Sequence, residues 1–162
     1  MSSPLPLTIP TTQAISTFLG GLFGRATPAK KIKVDWGREK GWLSFSEFLH
    51  PGGELAALFV ADLPLCSWSG AALALLPPGL AQDAIKVGKL DQGLQENFAE
   101  VANVLTATFR EFGERVILGK IQYGGAAALA PELRALLAAP RRLDLEVTLT
   151  GYGAGRCGLL FV

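Results

Sequence analysis

The chain has 162 residues, of which 49% are hydrophobic, and its 15 basic and 14 acidic residues leave a formal charge of +1. A chain of this length and composition can bury a sizeable core, so it is expected to form one domain, and disorder as its main state is excluded. Because the two signs of charge are interspersed, there is no basic region for phosphate backbones, and nucleic acid is not an expected partner.

The sequence also bears on location and metal content. No positive residue precedes Arg25, which does not fit a secretory signal, and no apolar run reaches the ~18 residues of a membrane span. We therefore expect a cytoplasmic protein. Cys66 and Cys157 lie far apart without a metal-ligand spacing, so both are expected to be buried apolar residues.

The first third of the chain is expected to contain an arm, a helix and two strands. Residues 1–10 carry three prolines and predict an extended arm before a single domain over residues 11–162. Thr11 or Thr12 could cap a first helix that ends near Gly24. The alternation of Ile32, Val34 and Trp36 with polar residues predicts a half-buried strand, and Leu43 with Phe45 predicts its partner strand.

The middle third predicts a buried strand and three helices. The apolar run 55–61 suits a central strand, and residues 68–76 suit a short helix that the following prolines end. Residues 81–87 could add another turn or two. Asp91 is a good N-cap for a long helix, which Gly113 is placed to end. Its apolar residues form one stripe that is expected to face the core: Leu94, Phe98, Val101, Leu105, Phe109 and Phe112.

The last third predicts three strands and a small helix. Residues 116–123 suit a strand, 131–137 a small helix, 143–149 a strand with strict alternation, and 158–162 a strand that returns after a turn over 151–155. This order of elements predicts an α+β fold. We expect a mainly antiparallel sheet with one long amphipathic helix and shorter helices packed on it.

Glu100 and Asn103 are the most informative polar residues. They stand one helical turn apart on the face of the long helix opposite the apolar stripe, together with Glu96. A carboxylate and a carboxamide held this way can grip a cation and orient a water molecule. Solvated helix faces carry such residues routinely, so the residues alone leave a functional and a purely solvating interpretation open.

Other motifs have structural interpretations. Residues 153–158 match GxGxxG, but the dinucleotide fingerprint requires a helix at the motif and an acidic residue some twenty positions later, and only four residues follow. A glycine-rich hairpin is expected instead. His50 has no partner for a metal site and is expected in a loop, and Trp36, Trp42 and Trp68 are expected in the core.

The region 53–125 resembles the CheC/CheX/FliY group of chemotaxis phosphatases. The signature of that group is a helix with an acidic or serine residue, three spacers, Glu, two spacers and Asn, which Glu96, Glu100 and Asn103 match here. The apolar run 55–60 before a helix of small residues, and the Gly-Gly after the next strand, are also similar to the layout of the family.

The resemblance implies a phosphatase for the phospho-aspartate of a CheY-like receiver protein. Glu100 would ion-pair with the lysine of the phosphorylated receiver, and Asn103 would orient a water molecule for in-line attack on phosphorus. Glu96 would either support the site or only solvate the helix. No cofactor would be bound by this chain, since Mg²⁺ would come with the receiver, and a homodimer is usual for the CheX type.

Two departures from the family keep other functions open. The proline of the signature has no counterpart, since position 126 is Ala, and the helix over 68–76 lacks a second motif, so at most one site is implied. The first alternative is a non-catalytic adaptor or flagellar-switch binding domain. The second is a structural domain that self-associates through its C-terminal strand and the stripe Ile15, Phe18, Leu19 and Leu22.

Overall fold

The computed structural model describes residues 3–162, which form six strands and five α-helices. The strands are β1 Ala29–Lys31, β2 Leu43–Leu49, β3 Leu55–Asp62, β4 Ile117–Gly124, β5 Arg142–Leu149 and β6 Gly153–Phe161. The helices are α1 Thr12–Phe23, α2 Leu63–Leu73, α3 Pro78–Val87, α4 Gln92–Leu105 and α5 Pro131–Leu136. Two 3₁₀ helices, Thr106–Phe112 and Ala126–Ala128, complete the set.

The strands form one sheet in the order β1-β5-β6-β3-β2-β4, and every neighbouring pair is antiparallel. Alternate residues of β3 serve two cores, with Phe59 in the core beneath α1, α2 and α4, and Leu58 and Val60 in the core beneath α5 and its flanking loops. The predicted α+β class with helices packed on an antiparallel sheet is confirmed.

Two predicted helices begin at their predicted caps, and the first of them also ends as predicted. Thr11 Oγ1 accepts the N–H of Ala14 at the start of α1, and Gly24 ends that helix with φ 66°. Asp91 Oδ1 accepts the N–H of Leu94 at the start of α4. A carboxylate or hydroxyl at this position satisfies a helix donor that has no partner within the helix.

The long helix ends differently from the prediction. It becomes a 3₁₀ helix at Thr106, and Gly113 then ends that segment with φ 72°. A 3₁₀ helix rises ~2.0 Å per residue against ~1.5 Å in an α-helix, so it carries its last residues farther along the axis. Phe112, the last residue of this segment, is 36% exposed, and the buried stripe ends at Phe109.

The strand predicted around Ile32, Val34 and Trp36 is wrong. The strand in this region, β1, ends at Lys31 and pairs with β5, and three strands separate it from β2. The N–H of Val34 donates to Asp144 Oδ2 at 3.2 Å, and Trp36 Nε1 donates to Asp144 Oδ1 at 2.9 Å. A buried carboxylate thus replaces the neighbouring strand as the acceptor for this segment.

The glycine-rich segment is confirmed as part of a hairpin, but β6 begins at Gly153, earlier than expected, and the turn centres on Gly151 with φ 88°. Its glycines allow close packing. A Cβ added to Gly155 would lie 2.4 Å from the backbone nitrogen of Leu65, and one on Gly158 would lie 2.6 Å from Trp36 Nε1. The GxGxxG pattern therefore lets a helix and a tryptophan ring approach one strand.

The remaining predictions concern buried residues, the start of α2 and the N-terminal arm. Cys66 and Cys157 are buried and free, as expected, and Trp36 is fully buried. α2 begins at Leu63, earlier than predicted, because Asp62 caps it. Residues 3–11 form no helix or strand. Among the described residues, no helix is long and apolar enough to cross a membrane.

Candidate functional site

The candidate site lies on α4, which its apolar face fixes to the sheet. Leu94, Phe98, Val101 and Leu105 are all buried. The ring of Phe98 stacks on that of Phe59 in the central strand β3, with 6.1 Å between centroids. Fully burying each such side chain contributes on the order of 2 kcal/mol, so this stripe anchors the helix.

Two neighbours hold α4 from the sides. A Cβ added to Gly70 of α2 would lie 3.1 Å from the carbonyl oxygen of Leu94, so the two helices approach closely at this glycine. On the other side, the Tyr123 hydroxyl of β4 donates to the carbonyl oxygen of Gln95 at 3.2 Å. Burial raises the pKa of Tyr123 to about 12, so the hydroxyl remains a donor even at alkaline pH at which an exposed tyrosine would ionise.

Glu96, Glu100 and Asn103 are all exposed on the outward face of α4. Within residues 3–162, the side chains of Glu100 and Asn103 make no hydrogen bond or salt bridge, while the backbone carbonyl of Asn103 accepts from Thr106 Oγ1 at 2.6 Å. Glu96 Oε1 accepts from Gln92 Nε2 at 3.1 Å. Glu100 and Asn103 are therefore free to bind a partner, and Glu96 is already engaged with its neighbour on the helix.

The chemistry available to this pair follows from its groups. The Asn103 carboxamide can donate through Nδ2 and accept through Oδ1, so it can hold a water molecule in a fixed orientation. The Glu100 carboxylate, one helical turn before Asn103, can pair with a cation that a partner supplies. Among the described residues there is no group of three or more His, Cys, Asp and Glu side chains that could hold a metal ion.

Two buried carboxylates that sequence analysis did not single out have structural roles. Asp144 accepts from Arg142 and from the Trp36 ring, which closes the core beneath α5. Asp62 caps α2 and pairs with Arg156, whose guanidinium also pairs with Glu39 at 2.7 Å. Burial raises the pKa of Asp62, against the lowering effect of its hydrogen bonds from Leu65 and Arg156. The roles of these carboxylates could not be read from the sequence, because most of their partners come from distant parts of the chain.

The stripe of α1 proposed for self-association is used within the chain. Ile15 and Leu19 are buried, and Phe18 and Leu22 are half-buried against the same core. His50 follows β2 outside any helix or strand, as predicted. Trp42 is half-buried and stacks on Tyr123, with 5.0 Å between ring centroids.

Comparison with known proteins gives structural matches without sequence matches. No protein-family model matches the chain, and no curated protein does. A chain of the FliM–SpeE complex from H. pylori superposes with a TM-score of 0.62 at 9% identity, covering 93% of this chain and 80% of that one.

Two further structural matches are proteins of the CheC/CheX/FliY group, which the sequence was found to resemble. FliY from Thermotoga maritima superposes with a TM-score of 0.57 at 12% identity, covering 92% of this chain and 83% of that one. A CheC-like superfamily protein from Shewanella sp. PV-4 gives 0.51 at 9% identity, with 93% of each chain covered. The chain therefore has the fold that these FliM, FliY and CheC-like proteins share.

Proposed function

We propose that this protein binds a phosphorylated CheY-like receiver protein and promotes hydrolysis of its aspartyl phosphate through Glu100 and Asn103. The observation that carries the proposal is that both side chains are exposed and, within residues 3–162, make no hydrogen bond or salt bridge. The helix that displays them is anchored by buried side chains and by Tyr123. A chemotaxis-related setting is supported by the fold shared with FliY and the CheC-like protein.

The proposed mechanism requires positioning more than covalent chemistry. Asn103 would hold a water molecule in line with the phosphorus–oxygen bond to the receiver aspartate, and Glu100 would pair with a receiver lysine beside it. The water oxygen bonds to phosphorus, the aspartate leaves as carboxylate, and the water proton passes to the released phosphate. Phosphoryl transfer is catalysed mainly by such positioning and by charge stabilisation. Mg²⁺ would be held by the receiver and would neutralise phosphate charge.

A rigid helix suits this role. Because the gain from positioning is lost when the reacting groups are misplaced by about 1 Å, the carboxamide must stand on an element that does not yield. Gly70 of α2 and the hydroxyl of Tyr123 both contact the backbone of α4 and oppose such movement. Burial of Phe98 and Val101 beneath Glu100 and Asn103 adds to this rigidity.

A second candidate function is receiver or flagellar-protein binding without catalysis. It is favoured by the comparison of TM-scores, 0.62 for the chain of the FliM–SpeE complex against 0.51 for the CheC-like protein. The same face of α4 could serve as a docking surface, since its exposed carboxylates and carboxamide are suited to polar recognition. The two functions differ only in whether the bound phosphate is lost faster.

The deciding experiment measures phosphate loss from a ³²P-labelled receiver of the same organism with the full chain added. We expect the wild type to accelerate the loss and Asn103→Ala to reduce the acceleration about 10²-fold, the size of effect seen when one positioned hydrogen-bonding group is removed from an active site. Binding of the receiver to Asn103→Ala should be largely kept. Gln82→Ala removes an exposed amide from α3 and serves as the matched control.

The arms of the experiment separate the candidates. Equal phosphate loss with and without the wild type, together with tight binding that Glu100→Ala weakens, would replace the phosphatase by the binding domain. An Asn103→Ala variant as active as the wild type would remove Asn103 from the mechanism. Glu96→Gln tests whether the third acidic residue contributes, and an unchanged rate would leave it as a solvated residue.

A further inference from the structure

An apolar groove runs beside the candidate site, between α3 and α4, with a volume of about 480 Å³. We call it the α3–α4 groove. Its more buried lining consists of Leu76, Ala84 and Leu94, and the side chains of Leu80 and Val87 stand on the α3 wall with 49% and 70% of their surface exposed. Monomeric proteins expose few large apolar side chains in one place, and such groupings commonly bind partners.

Leu75, the chain neighbour of the lining residue Leu76, has a backbone conformation that disfavours a leucine. Leu75 has φ 56°, in the left-handed region, where it ends α2 while the N–H of Leu76 donates to the carbonyl of Ala71 at 2.9 Å. This position in a helix end is usually glycine, because a Cβ there is strained. Leu75 is also 79% exposed. Neither the backbone conformation nor core packing favours a leucine at position 75, so this side chain is available for contact with a partner molecule.

The polar rim of the groove is acidic. Asp83, Asp91 and Glu96 line it, and Lys89 is the one basic residue among the lining residues. The charge of the rim therefore disfavours an acidic partner and attracts a basic one, and charges at a rim mainly set specificity and association rate. This imbalance is local, because the whole chain carries a formal charge of only +1.

The walls determine the form of the occupant. Beyond the first turn of α4, the backbone groups of both helical walls are bonded within their helices, so an extended peptide would find few backbone partners there. A helical segment satisfies its own backbone and can insert side chains at i, i+3 or i+4 and i+7. The stripe from Leu80 to Val87 spans about 10 Å at 1.5 Å per residue, which matches two turns of such a helix.

From these observations we infer that the α3–α4 groove is a docking site for a short amphipathic helix of a partner protein, with leucine-type anchors on one face and basic residues flanking them. Leu80 and Val87 are its apolar contacts in the groove, the exposed Leu75 beside the lining residue Leu76 extends them, and Asp83 is its main electrostatic contact. The inference requires no catalytic activity of Glu100 or Asn103, so it is tested independently of the proposed phosphatase activity.

The test uses synthetic helical peptides with the full chain. The probe is a capped 14-residue peptide with leucines at heptad spacing and lysines between them. Glutamate in place of every lysine gives the acidic control, and a scrambled order gives the non-amphipathic one. Binding is measured by fluorescence anisotropy and mapped by amide chemical shifts. We expect the basic peptide to bind at least tenfold more tightly than either control, with shifts confined to α3, the end of α2 and the start of α4.

Variants of the chain decide whether the groove is responsible. Leu80→Ser with Val87→Ser, and separately Asp83→Lys, should each weaken binding at least tenfold. Val162→Ser removes an equally exposed apolar side chain at the end of β6 and should leave the affinity unchanged. Leu75→Gly relieves the strained φ and should weaken binding while the fold stays intact. Equal binding of the acidic peptide, or chemical shifts mapped elsewhere, would overturn the proposal.

The competing occupant is a second copy of this chain. If it fills the groove, light scattering will show a dimer that Leu80→Ser with Val87→Ser converts to monomer, and this result would also overturn the proposal of a foreign helix. A monomeric wild type that binds the basic peptide supports it.

Discussion

Gly155→Ala is the substitution whose effect can be worked out most directly from the structure. The new Cβ would lie 2.4 Å from the backbone nitrogen of Leu65 and 2.5 Å from its Cα, whereas ordinary contacts begin near 3.4 Å. α2 or β6 must therefore move by about 1 Å. The obstacle is the first turn of a helix and not the tip of a flexible side chain, so local relaxation is limited.

The expected magnitude follows from two opposing effects. Overpacking a well-packed site costs ~1–3 kcal/mol, and a clash with helix backbone belongs at the upper end of that range. Alanine in a strand is favoured over glycine by ~0.5–1 kcal/mol, which offsets part of the cost. We expect Gly155→Ala to lower the free energy of unfolding by about 2 kcal/mol, which for a chain of this size lowers Tm by about 4–8 °C.

Urea denaturation followed by circular dichroism gives the free energy of unfolding, and Gly21→Ala gives the matched control. Gly21 lies within α1, is exposed, and a Cβ there would meet nothing within 4 Å. The same chemical change should therefore stabilise the protein at this position, by ~0.5–1 kcal/mol. A Gly155→Ala variant as stable as the wild type, beside a stabilised Gly21→Ala, would refute the idea that the motif serves close packing.

Two further predictions concern backbone strain and a buried charge. Leu75→Gly should raise the free energy of unfolding by about 1 kcal/mol, because it removes the left-handed strain of an L-residue. Leu75→Ala keeps that strain and should change the free energy of unfolding little. Thermal melts of the two variants test this, and equal stability of both would contradict it. Burial raises the pKa of Asp62 above 3.8. The contribution of this carboxyl to stability is therefore fully present at pH values below its pKa in the unfolded chain. It is lost as the pH rises through its higher pKa in the folded protein. The free-energy difference between wild type and Asp62→Asn should accordingly shrink as the pH is raised from 4 to 7, and a difference that grows over that range would show that the ion pair with Arg156 outweighs burial.

The elements that sequence analysis predicted well are those with local signals. α1 has a capping threonine and a terminal glycine, and α4 has Asp91 and an apolar stripe of helical period. β5 alternates strictly, and β3 is a continuous apolar run in the middle of the sheet. Caps and periodicity depend only on neighbours in the sequence, so they can be recognised without knowledge of the fold.

The errors arise where a distant residue decides the local structure. The alternation of Ile32, Val34 and Trp36 is real, and Val34 and Trp36 are buried. The carboxylate of Asp144, however, accepts the backbone N–H of Val34 that a neighbouring strand would have paired, and it also accepts the indole N–H of Trp36. The early start of β6 likewise depends on its pairing with the full length of β5. No pattern within either segment contains this information.

At the candidate site, some features could be predicted from the sequence and others could not. The outward position of Glu100 and Asn103 was predictable, because a helix with one apolar stripe must display the opposite face. Which exposed carboxylate is free was not predictable, since the hydrogen bond from Gln92 to Glu96 depends on side-chain conformation. The α3–α4 groove was missed as well, because Leu80 and Val87 read as helix-forming residues and their exposure follows only from how α3 lies on α2 and α4.

The glycines connect the packing of the sheet with the candidate site. Gly155 lets the start of α2 rest on β6, and Gly70 at the other end of α2 lets α4 rest on α2. The position of Asn103 relative to the sheet thus depends on two close approaches in series, each of which a single methyl group would disturb. Under the proposed mechanism the Asn103 carboxamide must hold the attacking water to within about 1 Å of its required position, which this arrangement suits. A surface used for docking alone tolerates larger displacements, so rates of phosphate loss should be more sensitive than binding affinity to the seating of α2.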